Sequence, residues 1–361
     1  LSDIKHIPLL KKKELIFLQS IGPRLGGLLT KDIGELKRIF LSPGPIFDPE
    51  DRMDDYWGYT EAFYSVGFRP GDVVQVTFNY HLSPAGLMFE EPLRNLGCAS
   101  IPAGPTDPGT QLDIMQKLRV SGYVGTASYL MHLAQKAEEK GINLRKDLFQ
   151  EVAFVTGERL SEKMRNQLEK KFDIILRQGY GTADVGCIGY ECFHKTGLHI
   201  SNRCYVEICH PDTGIPLKDG EVGEIVVTSF NKTYPLIRLA TGDLSYIDRA
   251  PCACGRTSPR LGSIVGRVDT TARIKGMFVY PHQVEQVMAR FEDIKRWQIE
   301  VINPGGIDEM ILYVEASNFH QEDELLHLFR ERIKLRPELK VLAPGTLPPQ
   351  IKPIEDKREW D

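Results

Sequence analysis

No apolar run in the sequence approaches the roughly 20 residues needed to cross a bilayer, so it holds no candidate transmembrane helix. A basic excess is missing too. The chain has 45 Lys and Arg against 49 Asp and Glu, a formal charge of −4, which supplies no general field for nucleic acid. Cysteine is scarce and unevenly spread: of seven, Cys98 stands alone and six fall between Cys187 and Cys254, unlike a disulfide framework. Neither a Gly-x-Ser-x-Gly elbow nor a His-Glu-x-x-His helix appears, which leaves hydrolase and metalloprotease chemistry without support. There is no internal repeat and no low-complexity segment. The stretch Leu1 to Glu14 mixes His and Lys with Leu and Ile, unlike a secretory leader. These absences leave a cytoplasmic enzyme as the default expectation, with small-molecule substrates and neither nucleic acid nor membrane as partner.

What is present is an ordinary globular composition, 42% hydrophobic and 26% charged, over 361 residues, enough for two or three domains. From Asp72 onward short apolar runs alternate with amphipathic stretches. Strands are expected at 72–78, 98–102, 123–126, 151–156 and 173–177, with helices at 85–96, 111–119, 129–139 and 162–171 between them. That alternation predicts an α/β fold with a mainly parallel sheet and covering helices. After Gly181 hairpin-like strands dominate. From about Asp269 the pattern becomes a hairpin (272–279), a helix (282–291), two strands (296–301 and 310–315) and a helix (322–333), a small α+β domain. The expected organisation is a large domain over 1–267, β-rich over 181–267, followed by a small domain over 268–361.

Gln178-Gly-Tyr-Gly-Thr-Ala-Asp184 follows a predicted strand. Its two glycines let the backbone approach a ligand closely, Tyr180 offers a ring for stacking, and Asp184 offers an oxygen suited to Mg²⁺ beside phosphate. This segment resembles the Tyr-Gly-x-Thr-Glu motif of adenylate-forming enzymes. Thr156-Gly-Glu-Arg159 is similar to that family's loop facing adenine, and Ala240-Thr-Gly-Asp243 to its ribose-binding motif. Gly266-Arg-Val-Asp269, continuing to Gly276 and Pro281-His-Gln-Val-Glu285, resembles its hinge and first C-terminal elements. Asn95 to Pro102 and Pro251-Cys-Ala-Cys-Gly-Arg256 onward resemble the phenylacetate–coenzyme A ligase branch.

The resemblance implies an AMP-forming ligase. An aryl or arylalkyl carboxylate would react with ATP to an acyl-adenylate, and coenzyme A would then take the acyl group. It further implies that Gly157, Glu158, Tyr180, Gly181 and Thr182 border the nucleotide, that Asp243 and Arg267 hold the ribose, and that Asp184 places Mg²⁺. The small domain would be mobile, turning about Asp269. A degenerate nucleotide- or acyl-binding module, and an enzyme with an amine or carrier-protein acceptor, are the alternatives. A homodimer is expected from base rates alone.

Cys252-Ala-Cys254 places two thiolates on a tight turn, and Cys192 and His199 lie upstream. Together they form a Cys₃His set suited to structural zinc. Cys187 or His194 could substitute, and Cys204 and Cys209 are near in sequence.

Two segments depart from the family pattern. A Ser/Thr/Gly-rich phosphate loop ending in Gly-Lys is expected near residues 38–48, where the chain reads Arg38-Ile-Phe-Leu-Ser-Pro-Gly-Pro-Ile-Phe-Asp48. Pro43 and Pro45 lack the backbone N–H groups on which a phosphate cradle depends. Near the C-terminus, alignment on Asp356-Lys-Arg358 puts Gln350 at the position of the family's catalytic lysine, which leaves Lys352 as the candidate. Tyr80 and His81, after a strand, are candidates for lining an acyl pocket. Lys11-Lys-Lys13 reads as a solvated face.

Overall fold

The computed structural model describes residues 3–42, 45–268, 271–274, 277–304 and 308–358. The chain forms two compact units, one of residues 1–241 and 246–263, the other of residues 242–245 and 264–361. No helix among the described residues is long and apolar enough to cross a membrane.

The larger unit is built on a nine-stranded mixed sheet. Its order is Ile247–Asp248, Arg260–Leu261, Leu198–Ile200, Gly186–Glu191, Ile175–Thr182, Val152–Val155, Gly122–Gly125, Val73–Val76, Ala99–Pro102. The last five strands are mutually parallel and the first five antiparallel, so Ile175–Thr182 is where the sheet changes character. The two halves follow from the connections. Helices link the parallel strands, while a tight turn links Ile175–Thr182 to Gly186–Glu191.

Alternation along the strands fills both faces. Val124, Val152 and Phe154 enter one core with Phe63, Phe89 and Leu93, while Tyr123, Ala153 and Val155 enter another with Leu112, Leu130 and Leu168. Helix starts are set by side-chain caps: Asp107 accepts from Thr110 N, Thr126 from Tyr129 N and Ser161 from Met164 N. A second sheet runs Leu10–Lys11, Leu239–Ser245, Gly223–Ser229, Cys204–Cys209, and its short first strand brings in the helix Lys12–Ile21.

The smaller unit has a four-stranded sheet in the order Glu338–Leu342, Glu309–Glu315, Arg296–Ile302, Ile354–Asp356. Helices Pro281–Met288 and Glu322–Ile333 bury Val284, Val287, Leu325 and Phe329 against Ile299, Val301, Leu312 and Val314.

One polar contact lies deep in the larger unit. Arg165, on the helix Glu162–Phe172, aims both terminal nitrogens at Glu191, with bonds of 2.9 and 2.7 Å between side chains 1% and 3% exposed. Glu191 also accepts from the backbone N–H and the side-chain amide of Gln178. Removing one partner leaves a buried, uncompensated charge, which costs about 3–5 kcal/mol. Arg165→Leu should therefore lose about that much in urea unfolding, and adding Glu191→Leu should recover part of the loss. An Arg165→Leu protein of wild-type stability would show that the pair does not hold the sheet.

Candidate active site

At the carboxyl ends of the parallel strands, two loops lie side by side. The strand Val152–Val155 runs into Thr156-Gly157-Glu158, and its neighbour Ile175–Thr182 into the turn holding Asp184. The Thr156 hydroxyl donates to Gly179 O at 2.9 Å and ties one loop to the other. Gly157 has φ +83°, a left-handed conformation that any side chain would strain. Glu158 accepts from Ser128 N (2.6 Å) and Ser128 Oγ (2.8 Å), on the first turn of the helix Ala127–Glu139. Gly181 is required by close packing: a Cβ there would stand 2.2 Å from the Tyr59 hydroxyl and 2.3 Å from Gly186 O. The strand carries a bulge between Tyr180 and Gly181. Tyr180 is buried, and the buried Thr182 hydroxyl has no hydrogen-bond partner.

Asp184 sits in the middle of this turn with its side chain only 1% exposed. Its Oδ2 is 2.7 Å from Lys12 Nζ, and its Oδ1 has no partner. Lys12 is the first residue of the helix Lys12–Ile21, so one member of the basic run expected to face solvent is instead engaged with the site. Asp48 lies in the hairpin Arg38–Ser42/Ile46–Glu50, opposite Phe40. It is fully buried; no hydrogen bond of ordinary geometry reaches either carboxylate oxygen, and the nearby Ser42 hydroxyl and Lys12 only partly offset the cost of burial. Burial, and then the charge of Asp184, push its pKa up to about 7. The hairpin tip, with Pro43 and Gly44, lies outside the described residues.

In the smaller unit Asp243 and Arg267 are cross-strand partners, with Arg267 Nη1 2.9 Å from Asp243 Oδ1. Asp269 and Gly276, expected at and after the hinge, lie outside the described residues. Lys352 is exposed just before the strand Ile354–Asp356, and its carbonyl accepts from Gln298 Nε2. Tyr80, in the larger unit, packs its ring beneath Gly86, and His81 donates its backbone N–H to Asn79 Oδ1 at 2.9 Å while its carbonyl accepts from Ser83 N at 2.7 Å.

A separate cluster lies in the antiparallel half of the sheet. The ligand atoms of Cys192, His199, Cys252 and Cys254 all fall within 4.8 Å of one another. Cys192 Sγ is 3.7 Å from Cys252 Sγ, and two sulfurs on a zinc tetrahedron stand about 3.8 Å apart. His199 Nδ1 is held by Ser258 Oγ at 3.2 Å, which leaves Nε2 facing Cys254 Sγ at 3.3 Å. Burial pushes the Cys192 thiol up to about 11. Burial also opposes ionisation of Cys252, but hydrogen bonds from Cys254 N, the Thr196 hydroxyl, Cys254 and His199 hold it near 5. The donor set fits a thiophilic divalent cation. Cys187, Cys204 and Cys209 are buried elsewhere: Cys204 Sγ faces Ile188 O and Cys209 Sγ accepts from Arg238.

Comparison with known proteins places these features in a context. Residues 57–232 match the family model described as AMP-binding enzyme, and residues 276–358 that of the AMP-binding enzyme C-terminal domain. The chain is 30% identical to the phenylacetate–coenzyme A ligase of Thermus thermophilus, over 97% of its own length and 84% of the relative's. It is 28% identical to that of Escherichia coli K12, over 81% and 71%. Among solved structures, an open conformation of 2-hydroxyisobutyryl-CoA ligase with 2-HIB-AMP and CoA aligns with a TM-score of 0.86 at 22% identity, covering 98% of this chain and 83% of that one. ATP-bound MatB from Rhodopseudomonas palustris aligns with a TM-score of 0.63 at 15% identity, covering 90% and 67%.

The buried Asp48 has a pH signature. Between about pH 4 and 7 the unfolded chain releases this proton while the folded chain keeps it, so folding stability falls as pH rises through that window. With chelator present, Asp48→Asn should match wild type below pH 4 and exceed it by about 2–4 kcal/mol at pH 8. Urea unfolding at both pH values checks this, and a difference that does not grow with pH contradicts it.

Proposed function

The chain belongs to the AMP-binding enzyme family and, within it, to the coenzyme A ligases; from that premise we propose that its acid is an aryl or arylalkyl carboxylate and its acceptor the thiol of coenzyme A. A carboxylate oxygen attacks the α-phosphorus of ATP, pyrophosphate leaves, and the acyl group becomes a mixed anhydride with AMP. The coenzyme A sulfur then attacks the acyl carbon, and AMP departs with the electron pair of the broken C–O bond.

The observation that carries this reading is the strand end and turn over Tyr180 to Asp184, beside the Gly157-Glu158 loop at the carboxyl end of the parallel strands. Ligands of open α/β sheets bind there. Gly157, Gly181 and the free Thr182 hydroxyl offer close backbone approach and a polar contact, and Tyr180 and Glu158 would border the adenine. In the smaller unit Asp243 and Arg267 would take the ribose hydroxyls, and Lys352 would meet the α-phosphate and the acid's carboxylate. Asp184, with one unpartnered oxygen, would hold Mg²⁺, whose chemistry is to neutralise phosphate charge. The protein's contribution is chiefly positioning and electrostatics. Cys192, His199, Cys252 and Cys254 would hold a structural zinc, since four protein ligands leave no open position for substrate.

Two measurements test this. ATP–pyrophosphate exchange with Mg²⁺ should appear with at least one of phenylacetate, benzoate or a hydroxylated aryl acid, and Asp184→Ala should lower it by about 100-fold or more. No exchange with any acid, while AMP still binds by calorimetry, would sink the ligase reading. Protein purified without chelators should contain about one zinc per chain, lost in Cys252→Ser/Cys254→Ser together with much of the thermal stability. Metal-free protein of undiminished stability would remove the zinc.

A further inference from the structure

The carboxylates of Asp48 and Asp184 pose a problem of charge. Both side chains are inaccessible to solvent or nearly so, and three of their four oxygens lack a hydrogen-bond partner. A buried carboxylate without partners is among the costlier arrangements a protein can hold. Among the described residues the cation that faces them is Lys12. Lys12 Nζ contacts Asp184 Oδ2 at 2.7 Å and its charge also acts on Asp48. A lysine ammonium is a compact point charge and satisfies one of those oxygens, not four.

The cluster is nevertheless held firmly. Gln19, two turns along the helix that starts at Lys12, donates to Phe47 O at 2.9 Å and accepts from Phe47 N at 2.8 Å. Phe47 precedes Asp48, so this double contact fixes the distance between the lysine's helix and the aspartate's strand. Gln19 also donates to Tyr234 Oη at 2.9 Å, and the buried Leu15 anchors the same helix. Of the three charged groups only Lys12 meets solvent, its side chain being 36% exposed. Its movement is therefore the way into the pair.

We propose that Asp48 and Asp184 form a two-carboxylate divalent-cation site, and that Lys12 is its displaceable internal counter-ion. A divalent cation entering with nucleotide takes the carboxylate oxygens. The released ammonium, still tethered at the head of its helix, then takes an oxygen of the departing polyphosphate. This supplies from a different element the cation that the stretch Ser42 to Asp48 lacks. The carboxylate site stands on its own geometry; the phosphate contact rests on the ligase reading above.

The test is Mn²⁺ binding by electron paramagnetic resonance, without nucleotide, to wild type, Lys12→Met and Asp48→Asn. Lys12→Met removes the competing cation and should bind Mn²⁺ about tenfold or more tightly than wild type; Asp48→Asn should bind at least about tenfold more weakly. Lys12 is partly exposed and Asp48→Asn is isosteric, so both variants should fold, which circular dichroism checks. With Mg²⁺ present, calorimetry should show Lys12→Met weakened about tenfold for pyrophosphate and unchanged for AMP, which lacks the outer phosphates. Mn²⁺ affinity within twofold of wild type in either variant would overturn the site. Equal weakening for AMP and pyrophosphate would overturn the phosphate contact. Absence of ATP–pyrophosphate exchange with these binding results intact would instead count against the ligase reading.

Discussion

A buried carboxylate at the end of one strand governs the geometry of both sites in the larger unit. Glu191 takes the Arg165 guanidinium from the covering helix and two bonds from Gln178 on the next strand. It thereby fixes the register between Ile175–Thr182 and Gly186–Glu191. The connection between those strands is the turn that carries Asp184. The residue after Glu191 is Cys192, the first of the four clustered side chains that could hold a metal. Slippage of this pair by a residue would turn every side chain of the hairpin to the wrong face. An ion pair buried between a helix and a sheet adds little net stability over an apolar contact, but losing one partner is costly, so the geometry that satisfies both is favoured.

The second constraint is the uneven distribution of charge around the turn. A glycine-rich phosphate loop provides donors without demanding counter-ions. The hairpin Arg38–Ser42/Ile46–Glu50 instead presents Asp48, which is stable in the folded chain only with a proton or a cation nearby. The short strand Leu10–Lys11, paired with Leu239 and Ala240, delivers that cation by setting where the next helix begins. Stability and binding pull in opposite directions here. The same unpartnered oxygens that weaken the apo protein are available to a divalent ion.

Much of the fold was legible because the pattern was strong. The expected helix over 322–333 is observed as Glu322–Ile333, and the strands near 152–155 and 296–302 lie where hydrophobic runs put them. The motifs marked Tyr180, Asp184, Asp243 and the Cys₃His set because each depends on residue types at short spacing. Lys12 was not legible. Its partner Asp184 is 172 positions away, and a triplet of lysines has no periodicity that singles out one. Asp48 carried only a partial signal, lying in the stretch where a phosphate loop is expected, and its burial and its unsatisfied oxygens are products of tertiary packing. Arg165 was hidden likewise, since nothing in a polar helix marks the one arginine that turns inward to meet Glu191.

The central claim is that a carboxylate attacks the α-phosphorus of ATP at the Tyr180–Asp184 turn. Turnover of an aryl acid labelled with heavy oxygen in its carboxylate, followed by mass spectrometry of the nucleotide product, tests it most directly. The account predicts AMP carrying one heavy oxygen for each thioester formed. Unlabelled AMP, or label found in inorganic phosphate beside ADP, would contradict it.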